Sequence, residues 1–486
     1  MTHNCRSEAL ESLGNSQTRL WLRKSDTVHF GVMSTVFEDA RLEAPAATRR
    51  AAARRSRQGA PLSISGVLYG FLLVGIFSVS WQIARPGDLN FTISDGAFLV
   101  VILGLVATSR FNLTPMEGFS PAWIFALILM LGSLFVSTVV NGEVMRWLVV
   151  ALQYSFAYLL LPMMFASFDQ KTLQHCVVFY ILGVTFSQAF GNIANIFFDY
   201  ADTAPIFGNN FITGMGRLGA FSGNANNNCA MAGFALVLLL YAIDRGLMNR
   251  LLALMCGVFL LWGIIASASF GGFVICLSAV SLVMIIRSPQ WAILALMTLV
   301  GLGAAYFASG FPLPAPFEQR VYGALAGGGL KEAGTFAGRM ELAKEAWRMS
   351  GDTLFLGLGV DSFRVVSIHQ APVHVFPLLL LTEGGLSGLI GFLGLLAILW
   401  FRALTNMSVD PRRGIICVGV LLIFTLFTLT VPHMYARLWV APVFLAILTC
   451  TRVEIPRARP RPRDELQASP APIHKSDDSA TWGSPS

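Results

Sequence analysis

Charge is what this sequence has least of. Only 13% of its 486 residues are Asp, Glu, Lys or Arg, against 55% hydrophobic, where a soluble protein carries about 25% charged residues. That is too little polar surface to cover a water-facing globule, so a soluble fold is excluded and the bilayer is the solvent. Cysteine is scarce too, and unpatterned. Cys176, Cys256, Cys276, Cys417 and Cys450 lie in apolar runs, Cys5 near the N-terminus and Cys229 where a helix starts. With no C-x-x-C pair or even spacing, neither a disulfide framework nor a zinc site is indicated. Ionisable groups are almost missing from the apolar runs. Glu383 is the clearest exception, with Asp95 near the end of another run. Ion-coupled transporters place carboxylates or histidines at mid-membrane, often on broken helices in two related halves. The scarcity weighs against that class, and no internal repeat is visible.

What is present is apolar length. A spanning helix needs roughly 20 apolar residues, and twelve segments qualify: 64–84, 93–109, 121–140, 144–166, 173–197, 226–243, 250–268, 271–287, 291–309, 374–401, 414–432 and 437–451. The abundance of Gly (45) and Phe (37) suits close-packed transmembrane helices. The first run begins near Ile64, too far in for a cleaved signal peptide, and Met33 is a second candidate start of translation. The expected fold is an all-α polytopic membrane protein of about twelve transmembrane helices. Three regions are expected: a basic, disordered N-terminal tail over 1–58, the transmembrane domain over 59–451, and a disordered Pro- and Arg-rich tail over 452–486.

The positive-inside rule orients the chain. With the basic run RRAAARRSR (49–57) in the cytoplasm, the inner connections hold Arg110, Lys171, Arg245 with Arg250, Arg287, and Arg402 with Arg412 and Arg413. The outer ones hold Arg85, Arg146, Arg217 and Arg437, each nearly alone. Both termini are then expected on the cytoplasmic side. The basic ends read as topology signals rather than as a nucleic-acid surface. Two outer loops are long, 198–225 and 310–373. In the second, Arg339, Leu342, Ala343, Ala346 and Trp347 of GRMELAKEAWRMSGD fall at i, i+3, i+4, i+7 and i+8, predicting an amphipathic helix on the membrane surface.

Conspicuous polar residues gather on this outer side. In GRLGAFSGNANNNCAMAGFALVLLL (216–240), Asn226, Asn227 or Asn228 can cap the following helix. Arg217 sits in an otherwise uncharged stretch beside the membrane, where its fork suits phosphate, with headgroup snorkelling as the alternative. Gln188, Asn192 and Asn195 form a polar stripe on one helix. It serves either hydrogen bonding between helices or a hydrophilic cleft for a sugar acceptor. His374 opens APVHVFPLLLLTEGGLSG at the outer mouth of its helix, within reach of water. An imidazole there can take a proton from a hydroxyl, or be structural. Glu383, nine residues on, is about half a turn out of phase on a regular helix. It therefore reads as a buried structural group, paired elsewhere or protonated.

Four motifs in this order resemble the O-antigen ligase and Wzy-type polysaccharide polymerase superfamily of bacterial inner-membrane proteins. They are the arginine-containing loop GRLGAFSGNANNN, FAGRMELAKEAW, GLGVDSF (357–363), and His374 followed by Gly385-Leu-Ser-Gly388. The likeness runs from roughly 210 to 450. Two departures stand out. Val375 occupies the place of the family's common Asn, Ser or Gln after the histidine. Phe270 stands where many members have an arginine, a contact that Arg320 or Arg364 would have to take up.

The resemblance implies a metal-independent, inverting glycosyltransferase with no cofactor, working at the periplasmic face. The donor would be a saccharide on undecaprenyl diphosphate. The acceptor would be a sugar hydroxyl, on another lipid-linked repeat (polymerase) or on lipid A–core (ligase). It makes His374 the catalytic base and Arg217 and Arg339 the diphosphate ligands, with Asn226, Gln188, Asn192 and Glu383 in supporting or acceptor-binding roles. The lipid bilayer, a flippase and a chain-length regulator would be its partners, and nucleic acid would not. The alternatives are transfer onto a protein by the same machinery, a transporter or flippase of an anionic or lipid-linked solute, and a scaffold within an envelope complex.

Overall fold

The computed structural model describes residues 66–83, 91–310, 315–322 and 336–451. The chain divides into two units, Met1–Ser65 and Gly66–Ser486, and every described residue belongs to the second. The expected tails, 1–58 and 452–486, lie outside the described residues, as do 311–314 and 323–335 of the long loop.

Helices form in all twelve apolar segments. We label them, with the helix of the long loop, as α1 (Gly66–Phe77), α2 (Ile93–Ala107), α3 (Ser120–Asn141), α4 (Val144–Ala166), α5 (Gln170–Phe197), α6 (Ala225–Asp244), α7 (Arg250–Ser267), α8 (Phe270–Arg287), α9 (Pro289–Ala308), α10 (Phe336–Asp352), α11 (Phe376–Val409), α12 (Pro411–Phe427) and α13 (Arg437–Thr451). Seven stretches, six of them α4 to α8 and α11 and the other α3 extended to Glu117, are long and apolar enough to cross a membrane. α1, α2 and α13 are apolar but shorter. Among the described residues there is no strand, only an isolated bridge between Ile212 and Leu218.

The helix starts follow local chemistry. Asp169, Asn224, Asn249, Ser269 and Asp410 each accept a backbone N–H from the first turn they precede. Pro121, Pro377 and Pro411 occupy first-turn positions, where their missing N–H costs nothing. Pro162, inside α4, has the opposite effect. It cannot donate to the carbonyl four residues earlier, that of Tyr158. The helix widens to a π turn over Phe156–Leu160, and Trp123 Nε1 donates to the Tyr158 carbonyl instead, at 2.7 Å.

Burial is uneven, as expected of helices that are apolar all round. α6 and α13 are central and closed off on nearly every side, whereas α7 and α8 leave most of their apolar side chains on the outer surface. α11 packs along α3 and against α12. Asp95 at the first turn of α2 forms a buried bidentate pair with Arg437 at the start of α13, tying together two helices far apart in sequence.

Candidate functional site

The loop ahead of α6 is built around Arg217. The helix is capped by Asn224, whose side chain accepts from the N–H groups of Asn226 (2.8 Å) and Asn227 (3.3 Å). The expected caps were Asn226 to Asn228; the structure corrects this by two residues or more. Asn224 alone has the extended backbone that a cap requires, while the others lie inside the helix. Asn226 is thereby released for a different task. Its Oδ1 accepts from Arg217 Nη2 at 3.1 Å and from Ser269 Oγ at 2.9 Å. Arg217 Nε donates to the Ser267 carbonyl, also at 3.1 Å. One edge of the guanidinium is thus fixed between the end of α7 and the start of α6, and Nη1 has no partner among the described residues.

Two further arginines reach the same place. Arg320 lies in the short helical turn Glu318–Tyr322. Phe317, just before it, makes an edge contact with Phe273 of α8, and Pro316 sits within van der Waals reach of Gly216. Arg339 projects from α10, whose Leu342 and Ala346 are buried against Phe363, Val373 and Leu379, with Val375 and Leu378 packed around them. This cluster clamps α10 onto the residues on both sides of His374. Of the expected apolar stripe, Trp347 does not join. It is 67% exposed, and Met349 takes its place against the cluster.

These groups act on one another electrostatically. Burial pushes Arg217 down to about 10, and the charges of Arg320 and Arg339 add to the effect. Arg339 is lowered by burial and by Arg320, and Arg320 by burial. His374 is half-buried, and burial followed by the Arg339 charge lowers its pKa below the ordinary histidine value. At neutral pH the patch therefore holds three guanidinium cations and a neutral imidazole. Among the described residues no carboxylate pairs with any of the three arginines. Such a patch favours an anion carrying more than one charge, and it offers one unprotonated base beside it.

Glu383 belongs to a different assembly. α11 is not regular: its backbone leaves helical geometry at Gly385 (φ 72°, ψ −171°). The carbonyls freed by the break accept from the loop that joins α10 to α11. Leu358 donates to Thr382 and Gly359 to Glu383, both at 2.9 Å, while Leu386 N–H donates to Leu354 at 2.7 Å. Ser137 Oγ reaches the Glu383 carbonyl at 2.7 Å. The Glu383 carboxyl is buried, and the loop runs on to Asp361. Asp361 in turn accepts from Arg146 Nε at 2.6 Å, lies 3.5 Å from Arg364 and 4.0 Å from His433. Burial pushes His433 down to about 4 despite that carboxylate, so it is neutral.

Of the residues singled out in the sequence, Arg217, Arg339, His374 and Asn226 therefore come together, and Arg320 joins them. Arg364 is bound to Asp361. Gln188 and Asn228 pair their side-chain amides, at 2.8 and 3.1 Å, and Asn192 donates to the Gln188 carbonyl. Gln188 and Asn192 are buried between helices, and Asn195 is exposed. The stripe is an interhelical contact rather than an open cleft. Sequence reading overlooked the Asp361–Arg146–His433 group. Its signal was three isolated ionisable residues at helix ends, with nothing to show that they meet. No family model matches the chain, and no curated protein matches it.

Proposed function

We propose that this membrane protein is a glycosyltransferase of the O-antigen ligase and polysaccharide polymerase type. It moves a saccharide from undecaprenyl diphosphate to a sugar hydroxyl at the periplasmic face of the bacterial inner membrane, polymerising exopolysaccharide or O-antigen repeats. The observation that carries this reading is the patch of Arg217, Arg320 and Arg339, with no carboxylate paired to them among the described residues, beside a neutral His374. The motif resemblance and the arginine-rich inner connections support it.

In this mechanism the acceptor hydroxyl oxygen attacks the anomeric carbon as His374 takes its proton. A new C–O bond forms on one face while the bond from that carbon to the diphosphate oxygen breaks on the other, inverting the centre. The electron pair leaves with the diphosphate, where the three arginines stabilise the growing charge. Asn226 and the Ser267 carbonyl hold Arg217 in place. Arg320 supplies the cation that Phe270 lacks. The apolar flanks of the surrounding helices accept the polyprenyl chain laterally.

Deleting the gene, complementing with His374→Ala and resolving surface and secreted glycans on a gel tests this, with membrane levels checked in parallel. Loss of long polymer with build-up of diphosphate-linked single repeats is expected. Loss confined to glycan on lipid A–core would make the enzyme a ligase. An unchanged profile would remove His374 as the base and leave the transporter or scaffold reading in front.

A further inference from the structure

A second basic site lies near the opposite end of α11. Arg402 lies 17 residues beyond the break at Gly385, about 25 Å along a helix rising 1.5 Å per residue, so the two sites are well separated along α11. A pocket of about 230 Å³ opens there, lined by Glu117, Phe119, Phe401, Arg402, Asn406 and Thr451, among others. Arg402 is 8% exposed. Its Nη1 donates to the Met116 carbonyl at 2.7 Å, and its Nη2 to Thr451 Oγ1 at 3.1 Å and toward Glu117 at 3.7 Å. Its Nε is buried without an acceptor among the described residues, and so is Nδ2 of Asn406, one turn further along the same helix. Two buried N–H donors four residues apart, one on a cation, call for an anionic oxygen.

The rest of the pocket says what carries that oxygen. One wall is the Phe119–Phe401 ring pair, with centroids 5.2 Å apart. Phe401 and Val409 are largely exposed on a membrane-spanning helix, so an apolar track leads away from the polar end. Arg412 and Arg413 start the next helix, and five arginines follow Thr451 within twelve residues of sequence. A phosphate with acyl chains fits both halves, whereas a soluble phosphate has no use for the apolar wall.

We propose that the Arg402–Asn406 pocket binds the phosphate of an acidic glycerophospholipid, with its acyl chains along Phe119 and Phe401. The Glu117 carboxylate, 71% exposed beside Arg402, competes with the phosphate and turns outward when the lipid binds. This does not depend on the reaction proposed for the other site.

The test uses the full-length chain, delipidated in detergent, with thermal unfolding followed as palmitoyl-oleoyl phosphatidylglycerol, phosphatidylcholine with the same chains, or inorganic phosphate is added. Phosphatidylglycerol should raise the midpoint saturably, and the other two should have little effect. Asn406→Leu, which spares the more structural Arg402, should weaken the phosphatidylglycerol effect about tenfold in apparent affinity, the loss of one hydrogen bond to a charged group. Glu117→Gln should strengthen it. Equal protection by phosphatidylcholine, which carries the same phosphodiester but no net charge, would mean that the pocket does not select an acidic lipid and would overturn the proposal. So would equal protection by inorganic phosphate, or phosphatidylglycerol selectivity untouched by Asn406→Leu.

Discussion

Arg217 is held by its Nε and one Nη2 hydrogen, while Nη1 has no partner among the described residues. That arrangement uses the guanidinium as a planar fork, which an ammonium cannot reproduce. Arg217→Lys keeps the charge but loses the bond to Asn226 or the one to Ser267. Turnover should fall at least about tenfold while the protein still folds and inserts; wild-type turnover would end the bidentate role. A second expectation concerns protons. Burial and Arg339 hold the His374 pKa below its usual value, so the imidazole stays a base as pH falls toward 6.5, and activity is lost only below that. Removing the neighbouring charge with Arg339→Gln lets the pKa rise. At a given pH more of the imidazole is then protonated, so the acid limb of the pH–rate profile should move to higher pH. A limb that stays put would separate His374 from the rate. Residue types and positions were legible at this scale; the identity of the cap was not. Four asparagines within five residues all suit a helix start, and only the backbone angles single out Asn224.

At the scale of elements, the decisive feature is the break in α11. A run as apolar as FPLLLLTEGGLSGLIGFL reads as one continuous helix, and the helical phase argument for His374 and Glu383 assumed one. The tandem glycines permit another solution. Gly385 adopts a positive φ, and a Cβ there would lie 2.8 Å from the Phe355 carbonyl. On the loop side, a Cβ at Gly357 would lie 2.3 Å from the Glu383 carbonyl. The two backbones approach so closely that each satisfies polar groups the other exposes, which the bilayer itself cannot do. Gly385→Ala combines the backbone strain with that close contact. It should cost about 2–3 kcal/mol and lower the unfolding midpoint in detergent. It should also loosen α10, whose chain continues directly into the displaced loop. A midpoint unchanged from wild type would mean that the break can close without penalty.

At the scale of the whole molecule, ion pairs connect segments that the sequence gives no reason to associate. Asp95 and Arg437 are separated by 342 positions, and Arg146 and Asp361 by 215. Removing one partner of the buried pair, as in Arg437→Leu, strands a carboxylate among apolar helices and should destabilise by about 3–5 kcal/mol. Replacing both, Asp95→Leu with Arg437→Leu, should recover much of that loss, since the pair's own net contribution is small. If the double variant unfolds as readily as the single one, the two residues do not act as a pair.

By composition and hydropathy pattern the sequence determined the solvent, the helical class and the places where helices form. Hydropathy over some twenty residues and capping side chains are local properties that tertiary context seldom overrides. The amphipathic α10 and the residue types of the anion patch were legible for the same reason. The tertiary structure alone decided that Arg320 completes that patch, that Gln188 and Asn192 are closed off between helices, and that the Glu383 carbonyl meets the α10–α11 loop through a broken helix. These depend on which backbones pass within hydrogen-bonding distance across hundreds of residues, a matter of packing that no local pattern encodes.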